Sequence, residues 1–127
     1  LGLREVLNLG HTVGRAVETV SDYRLLHGEA VSIGLVAEAR LAQNMGYLSE
    51  ADAERVIALL KRAKLPTEIP EYIDREALVK KLYTDKKVRD GKLRFVIQDA
   101  SVPSQPSVRM FMHLQSLRKS KRDHMQL

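Results

Sequence analysis

The chain of 127 residues is long enough for one compact domain with a hydrophobic core, and its 44% apolar and 29% charged content is ordinary for a globular protein. It contains no cysteine, which excludes disulfides and thiolate metal sites, so a metal ion would have to be bound by His and carboxylate groups. No apolar run approaches the roughly 18 residues that cross a bilayer, and the first residues lack a secretory signal pattern, so we expect a cytoplasmic protein without membrane contact.

The net charge of +5 is unevenly distributed along the chain. Residues 99–127 carry five Lys/Arg against two Asp, whereas residues 1–98 carry 16 basic against 14 acidic side chains. A nucleic-acid-binding face needs clustered basic residues and aromatic side chains for stacking on bases, and neither is evident. We therefore predict that nucleic acid is not the main partner. A non-enzymatic helical module, whose basic tail docks on nucleic acid or an acidic protein, remains the alternative.

The first predicted element is a largely buried helix from Leu3 to about Val20, because apolar residues recur there at helical spacing. Gly10 and Gly14 interrupt its pattern. A glycine inside a helix costs about 1 kcal/mol relative to alanine, so the pair indicates that something packs or binds close to the backbone. Tight packing of a second helix is the simpler of these two explanations.

Three more helices are predicted after a linker. The second helix, Glu29–Met45, is apolar on nearly all sides, which is typical of a helix inside a bundle. Ser49, followed three residues later by an acidic residue, predicts a capping box that opens a third helix over residues 50–64. Asp74 is a suitable N-cap for a fourth helix, residues 75 to about 83.

The segment Leu93–Ile97 is the one convincing strand, and no partner for it is evident in the sequence, which indicates that the rest of its sheet lies elsewhere. Ser and Pro residues after it predict a flexible basic tail, residues 99–127, within which a short helix over Met110–Leu117 is an alternative. The sequence thus predicts a mainly α fold over residues 1–98: a helical bundle with one short strand or hairpin.

Four polar side chains follow one another along one face of the first predicted helix, at spacings of four, three and four residues: Arg4, Asn8, His11 and Arg15. Two cations, an amide and an imidazole on an otherwise apolar helix are costly to bury without partners, and an anionic ligand would remove that cost. The alternative is that both arginines pair with nearby carboxylates and that His11 is a hydrogen-bonded core histidine.

His27 lies 16 residues after His11, just before the second helix, so a helical hairpin could bring the two imidazoles to the same depth. Two neutral imidazoles with one carboxylate form a common catalytic zinc site that leaves a position open for a substrate oxygen. Glu18 and Glu29 are local candidates for the third ligand. Equally, either could orient a histidine or act as a helix-end charge.

Three segments resemble, in order and in spacing, signatures of the 3-dehydroquinate synthase family: Leu7–Gly14 (LNLGHTVG), Leu26–Leu35 (LHGEAVSIGL) and Asp85–Val96 (DKKVRDGKLRFV). The resemblance covers roughly residues 1–98 and implies the C-terminal, metal-binding helical domain of that family. It also implies that an N-terminal NAD-binding domain and the acidic zinc ligand of the family precede the first residue.

The resemblance implies an activity as well. Members convert 3-deoxy-arabino-heptulosonate 7-phosphate, a phosphorylated sugar acid, into 3-dehydroquinate and phosphate in the shikimate pathway of aromatic amino-acid biosynthesis. They use bound NAD and a divalent metal, usually zinc. A homodimer of the full-length form is a further expectation, and this fragment alone is expected to be inactive. A related sugar-phosphate cyclase and a metal-dependent alcohol or glycerol dehydrogenase domain remain alternatives.

Site residues are implied position by position. His11 and His27 match the two histidine zinc ligands of the family. Arg4, Asn8 and Lys86 match positions that contact the carboxylate, hydroxyl or phosphate oxygens of the substrate. These residue types suit the task, because arginine offers a planar fork to a carboxylate and lysine offers a mobile point charge to phosphate.

Arg15 departs from the family pattern, which usually has a second histidine at this position. An arginine can still bind phosphate. It cannot shuttle a proton near neutral pH as an imidazole can, so either that role is lost or the substrate phosphate serves as its own base.

Overall fold

The computed structural model describes residues 8–84 and, for the backbone, three strands within residues 88–114. The helices are α1 His11–Val20, α2 His27–Asn44, α3 Glu50–Arg62 and α4 Arg75–Thr84. The strands are β1 Val88–Arg89, β2 Lys92–Asp99 and β3 Ser107–Leu114. The prediction of a mainly α fold with a short strand or hairpin is therefore confirmed. None of the helices in the described part of the chain is long and apolar enough to cross a membrane.

The start of α1 differs from the prediction. Residues 8–10 form a turn, and Gly10 precedes α1 with a left-handed φ of 80°. Glycine adopts this left-handed conformation at little cost. A residue in that conformation, however, cannot lie inside a continuous right-handed helix. The predicted helix from Leu3 is therefore wrong at residues 8–10. The position of Asn8 relative to His11 is determined by this turn and not by helical geometry. Residues 1–7 lie outside the described residues.

Glycines line the crossing of α1 and α2. A Cβ on Gly34 would overlap the carbonyl oxygen of Gly10 and lie 2.7 Å from the nitrogen of Gly14. A Cβ on Gly14 would lie 3.0 Å from the Cα of Val31. The two backbones are thus in direct contact. The close packing of a second helix therefore explains both Gly10 and Gly14.

One core joins the four helices of the described residues, and its largest fully buried apolar side chains include Ile33 and Leu78. Burial of a side chain of this size stabilises the fold by roughly 1.5–3 kcal/mol. The core comprises Val13, Ala16, Val17, Ala30, Ile33, Ala39, Ala42, Leu48, Ala53, Ile73, Leu78 and Leu82. Small residues predominate on α1 and α2, which is why these two helices approach each other so closely.

The ends of α2, α3 and α4 agree with the sequence. The Oγ of Ser49 accepts a hydrogen bond of 3.0 Å from the backbone N–H of Asp52, which caps α3. Asp74 caps α4 in the same way, through its Oδ1 and the N–H of Glu76 at 2.9 Å. Gly46, with a φ of 82°, follows the end of α2 as predicted. Each of these ends is determined by a residue within three positions of it.

The strand β2 has partners on both sides, so the expectation of a lone strand is wrong. It pairs antiparallel with β1, where Val88 faces Leu93, and with β3, where Phe95 faces Phe111. The alternative of a helix over Met110–Leu117 is wrong in the described part of that segment, because residues 110–114 belong to the extended strand β3. Apolar residues at positions 108, 110, 112 and 114 alternate with period two, a strand signal that the Ser- and Pro-rich surroundings obscured.

Candidate functional site

The two histidines predicted to share a metal ion lie side by side. Their ring centroids are 5.4 Å apart, and the ring planes are inclined by 58°. His11 is the first residue of α1 and His27 is the first residue of α2, so the glycine-lined crossing determines their separation. The side chain of His27 is 58% exposed, which leaves the pair open to solvent on one side. The imidazoles are thus adjacent, as the hypothesis of a shared ion requires.

The ring of His11 is held by the backbone. Its Nδ1 lies 3.1 Å from the carbonyl oxygen of Leu9. A carbonyl oxygen only accepts hydrogen bonds, so Nδ1 carries the proton and donates it to this oxygen. The lone pair of the neutral ring is therefore on Nε2, where it is available to a metal ion.

The ring of His27 is held by a carboxylate. Its Nδ1 donates to the Oε1 of Glu18 at 3.1 Å, and Glu18 is the more buried partner of the two. A carboxylate on the far nitrogen of an imidazole is a typical feature of metal-ligating histidines, because it fixes the ring orientation and the tautomer. Of the roles left open for Glu18 by the sequence, the structure therefore favours that of orienting His27. Among the described residues, no side chain or backbone group hydrogen-bonds the Nε2 of His27.

Glu29 is engaged as a helix cap. Its Oε1 accepts a hydrogen bond of 2.9 Å from the backbone N–H of Leu26, which satisfies a donor ahead of the first turn of α2. Within the part of the chain that the structure describes, no cluster of three or more His, Asp or Glu side chains is arranged to hold a metal ion. The described residues therefore offer two imidazole donors, and a third donor would have to come from elsewhere.

The remaining predicted residues are only partly described. Asn8 is half-buried in the turn before α1, and its carbonyl oxygen accepts a hydrogen bond of 3.0 Å from the N–H of His11. Arg15 is exposed, one helical turn after His11. Arg4 and Lys86 lie outside the described residues, so the contacts predicted for them with substrate stay predictions.

Glu38 was not predicted from the sequence as part of the site. This residue lies inside α2 and is only 1% exposed, and its Oε1 accepts a hydrogen bond of 3.0 Å from the backbone N–H of Gly10. The available signal was a carboxylate one helical turn after Gly34, on the face that meets α1. The apolar character of α2 as a whole obscured that signal.

Comparisons of the sequence with known families and proteins agree on one family. The sequence pattern of the family described as 3-dehydroquinate synthase C-terminal matches residues 1–88. The 3-dehydroquinate synthase of Nostoc sp. (strain PCC 7120) is 54% identical over 97 residues, which are 76% of this chain and 27% of that protein. The enzyme of the same name from Geotalea uraniireducens is 51% identical over 96 residues, or 75% of this chain and 26% of that protein. The chain thus spans about a quarter of the length of these curated relatives.

Solved structures share the fold. A complex of 2-deoxy-scyllo-inosose synthase with carbaglucose-6-phosphate, NAD+ and Co2+ superposes with a TM-score of 0.73 and 23% identity, over 87% of this chain and 32% of that one. A second structure of 2-deoxy-scyllo-inosose synthase gives a TM-score of 0.68 with 21% identity, over 86% of this chain and 30% of that one. At these identities the likeness establishes the fold alone.

Proposed function

The chain belongs to the 3-dehydroquinate synthase C-terminal family, and we propose that it supplies the metal- and substrate-binding part of an enzyme that converts 3-deoxy-arabino-heptulosonate 7-phosphate into 3-dehydroquinate and phosphate. The observation that carries the proposal is the pair formed by His11 and His27, with ring centroids 5.4 Å apart and both Nε2 atoms available. Because the chain spans about a quarter of its relatives, turnover is proposed for a complete enzyme and not for these residues alone.

The geometry of the two imidazoles suits a divalent metal. Two ring nitrogens bound at about 2.0–2.1 Å to one tetrahedral zinc ion place the ring centroids about 5 Å apart, close to the separation found here. We propose His11 and His27 as two ligands, with the acidic third ligand supplied from outside the described residues. When bound, the metal polarises the substrate hydroxyl that is oxidised, and NAD supplies a reversible hydride acceptor. The NAD+ and Co2+ in the complex of 2-deoxy-scyllo-inosose synthase support this pair of cofactors.

Substrate recognition is proposed for Arg4, Asn8, Arg15 and Lys86. The charged members of this set match the carboxylate and the phosphate of the substrate, and Asn8 offers both a donor and an acceptor to a hydroxyl group. Arg15 is exposed on the helix that begins with His11, in reach of solvent and of a diffusing phosphate. Since its guanidinium does not release a proton near neutral pH, either proton shuttling at this position is lost or the phosphate oxygens of the substrate act as the base.

A second candidate function is the cyclisation of a sugar phosphate that lacks a carboxylate. The fold shared with 2-deoxy-scyllo-inosose synthase favours it. The identity of 54% to a 3-dehydroquinate synthase, against 23% to that cyclase, favours the first proposal. Arg4 and Lys86 add to this preference, because they match positions suited to a substrate with a carboxylate as well as a phosphate.

We propose the following organisation for the complete protein. Residues 1–98 carry the function beside an NAD-binding domain, and residues 99–127 are an atypical basic extension. The family match over residues 1–88 supports this division. The pairing of β3 with β2 implies that the extension also contributes a strand. A homodimer and a cytoplasmic location complete the proposal.

The test is an assay of phosphate release by a polypeptide that contains this chain together with an NAD-binding domain. We expect release from 3-deoxy-arabino-heptulosonate 7-phosphate but not from a hexose 6-phosphate without a carboxylate. A chelator should abolish the activity, and Zn2+ or Co2+ should restore it. His27→Ala should also abolish it, and the 127-residue chain alone should show no turnover. Activity that survives both chelation and His27→Ala would contradict the proposal.

A further inference from the structure

One peptide group connects a buried carboxylate to an imidazole. The carbonyl oxygen of Leu9 accepts the hydrogen bond from the Nδ1 of His11 at 3.1 Å. The N–H of the same peptide group, that of Gly10, donates to the Oε1 of Glu38 at 3.0 Å. Carboxylate, peptide group and imidazole therefore form one continuous hydrogen-bonded chain.

The carboxylate of Glu38 is in an unusual place. It reaches Gly10 from the interior of α2, 28 residues further along the chain, and it is almost fully buried. Burial of a carboxylate is costly unless hydrogen bonds compensate for the lost hydration. Gly10 has no side chain with which to cap α1, so the carboxylate of Glu38 lies where a negative charge favours the helix N-terminus. This contact also fixes the left-handed turn that precedes His11.

We propose that Glu38 is a positioning residue for His11, which acts through the Leu9–Gly10 peptide group and holds the imidazole in the tautomer with Nε2 free. Hydrogen bonds in series polarise one another, so a carboxylate on the N–H makes the carbonyl oxygen at the other end a stronger acceptor. A stronger acceptor at Leu9 favours the proton on Nδ1. This proposal rests on the proposed function in one respect only, namely that His11 is a metal ligand.

The neighbouring histidine provides a comparison within the same site. Glu18 contacts the Nδ1 of His27 directly, whereas Glu38 acts on His11 through one peptide group. Both rings thus present Nε2, and each ring depends on its own carboxylate. A change at one carboxylate should affect one ring and leave the other as an internal control.

The test is nuclear magnetic resonance of the full chain with isotope-labelled histidine, without metal and at an alkaline pH at which imidazole is neutral. The ring-nitrogen resonances report the tautomer of each histidine. We expect both rings to carry the proton on Nδ1 in the unaltered chain. In Glu38→Gln, His11 should shift towards the other tautomer while His27 stays unchanged, and Glu38→Ala should shift it further. Glu18→Gln should give the reverse pattern.

A measurement on the unaltered chain covers the case in which these variants fail to fold. The amide proton of Gly10 should resonate downfield and exchange slowly, because hydrogen bonds to charged groups are short and strong. A coupling across the hydrogen bond should join the Nδ1 of His11 to the carbonyl carbon of Leu9. A rapidly exchanging Gly10 amide, or a missing coupling, would overturn the proposal. So would folded variants of Glu38 in which His11 is unchanged, or in which both rings shift equally.

The affinity for Zn2+ provides a second measurement, in addition to the tautomer of His11. In the complete enzyme, Glu38→Ala should weaken Zn2+ binding by about 10–100-fold in competition with a chromogenic chelator, as is usual when a group that orients a ligand is removed. Glu54→Gln, which changes an exposed carboxylate on α3, is the matched control and should bind Zn2+ normally. The tautomer measurement needs neither metal nor substrate. A failed assay of phosphate release therefore leaves this test intact, and a failure here leaves that assay intact.

Discussion

The crossing of α1 and α2 and the outer layer of α3 and α4 are stabilised in different ways. The outer helices begin at side-chain caps, Ser49 and Asp74, that act within three residues of themselves. The helix α1 begins instead at a left-handed glycine whose N–H is bound by a carboxylate from another helix. The region with the two histidines therefore depends on contacts between distant parts of the sequence. It should be the more sensitive of the two regions to small substitutions.

The largest effect is expected from Gly34→Ala. The added Cβ would overlap the carbonyl oxygen of Gly10 and lie 2.7 Å from the nitrogen of Gly14, and neither backbone can yield without separating the helices. Overpacking a core typically costs about 1–3 kcal/mol, and a clash between backbones should cost at least the upper value. Urea unfolding measures the loss. Gly28→Ala is the matched control in α2, because a Cβ there meets nothing within 4 Å. Equal stability of the two variants would refute the account of the crossing.

Leu78→Ala should have the next largest effect, in the outer layer. This side chain is 1% exposed in the common core, so its truncation should lower the free energy of unfolding by about 2–5 kcal/mol. Leu59→Ala, at a position that is 64% exposed, should change it by less than about 0.5 kcal/mol. Calorimetric or urea unfolding of the two variants gives the difference. If they lost similar amounts, the assignment of the core would be wrong.

Ser49→Ala tests whether the local cap of α3 is independent of the crossing of α1 and α2. Loss of the cap of α3 should lower the free energy of unfolding by about 1 kcal/mol, and Ser49→Asp should retain most of it because aspartate also caps well. The tautomer of His11 should not change in either variant. A change in that tautomer would show that the cap of α3 and the crossing of α1 and α2 are energetically coupled.

The smallest effect is expected at the ion pair between α2 and α3. The guanidinium of Arg40 donates to the Oε1 of Glu54 at 2.7 Å, and both side chains are about half exposed, at 42% and 55%. Glu54→Gln should therefore lower the free energy of unfolding by no more than about 1 kcal/mol, and by less in high salt. Unfolding in low and high salt tests this. A larger loss that salt does not reduce would indicate that the pair is effectively buried.

The parts of the fold that the sequence predicted are those with local signals. The caps at Ser49 and Asp74 and the glycine after α2 each act within a few residues, so their patterns are visible in the sequence. The left-handed turn at Gly10 was missed, because the sequence does not distinguish a glycine that precedes a helix from a glycine inside one. The partner of β2 was missed because the Ser- and Pro-rich segment between the two strands obscured the alternating pattern of β3, which pairs with β2 from Asp99 and Ser107 to Lys92 and Leu114.

The candidate site was predicted in part. The spacing of His11 and His27, together with the resemblance of the segments around them, led to the pair that the structure brings together. Glu38 was not found, because its partner is a backbone N–H and every residue has one. The position of Glu38 one helical turn after Gly34 indicates a polar contact on the face that meets α1, but the partner is evident only once the two helices are placed. The roles of Arg4 and Lys86 depend on residues that the structure does not describe.

Direct contact between the backbones of α1 and α2 has a consequence for how such a domain can diverge. At this crossing the contacts are made by backbone atoms, so we expect the exposed side chains around it to have little influence on the distance between the first residues of α1 and α2. Arg15 is one of these exposed side chains. We therefore expect that the residue at this position can be exchanged while the spacing of the two imidazoles stays unchanged.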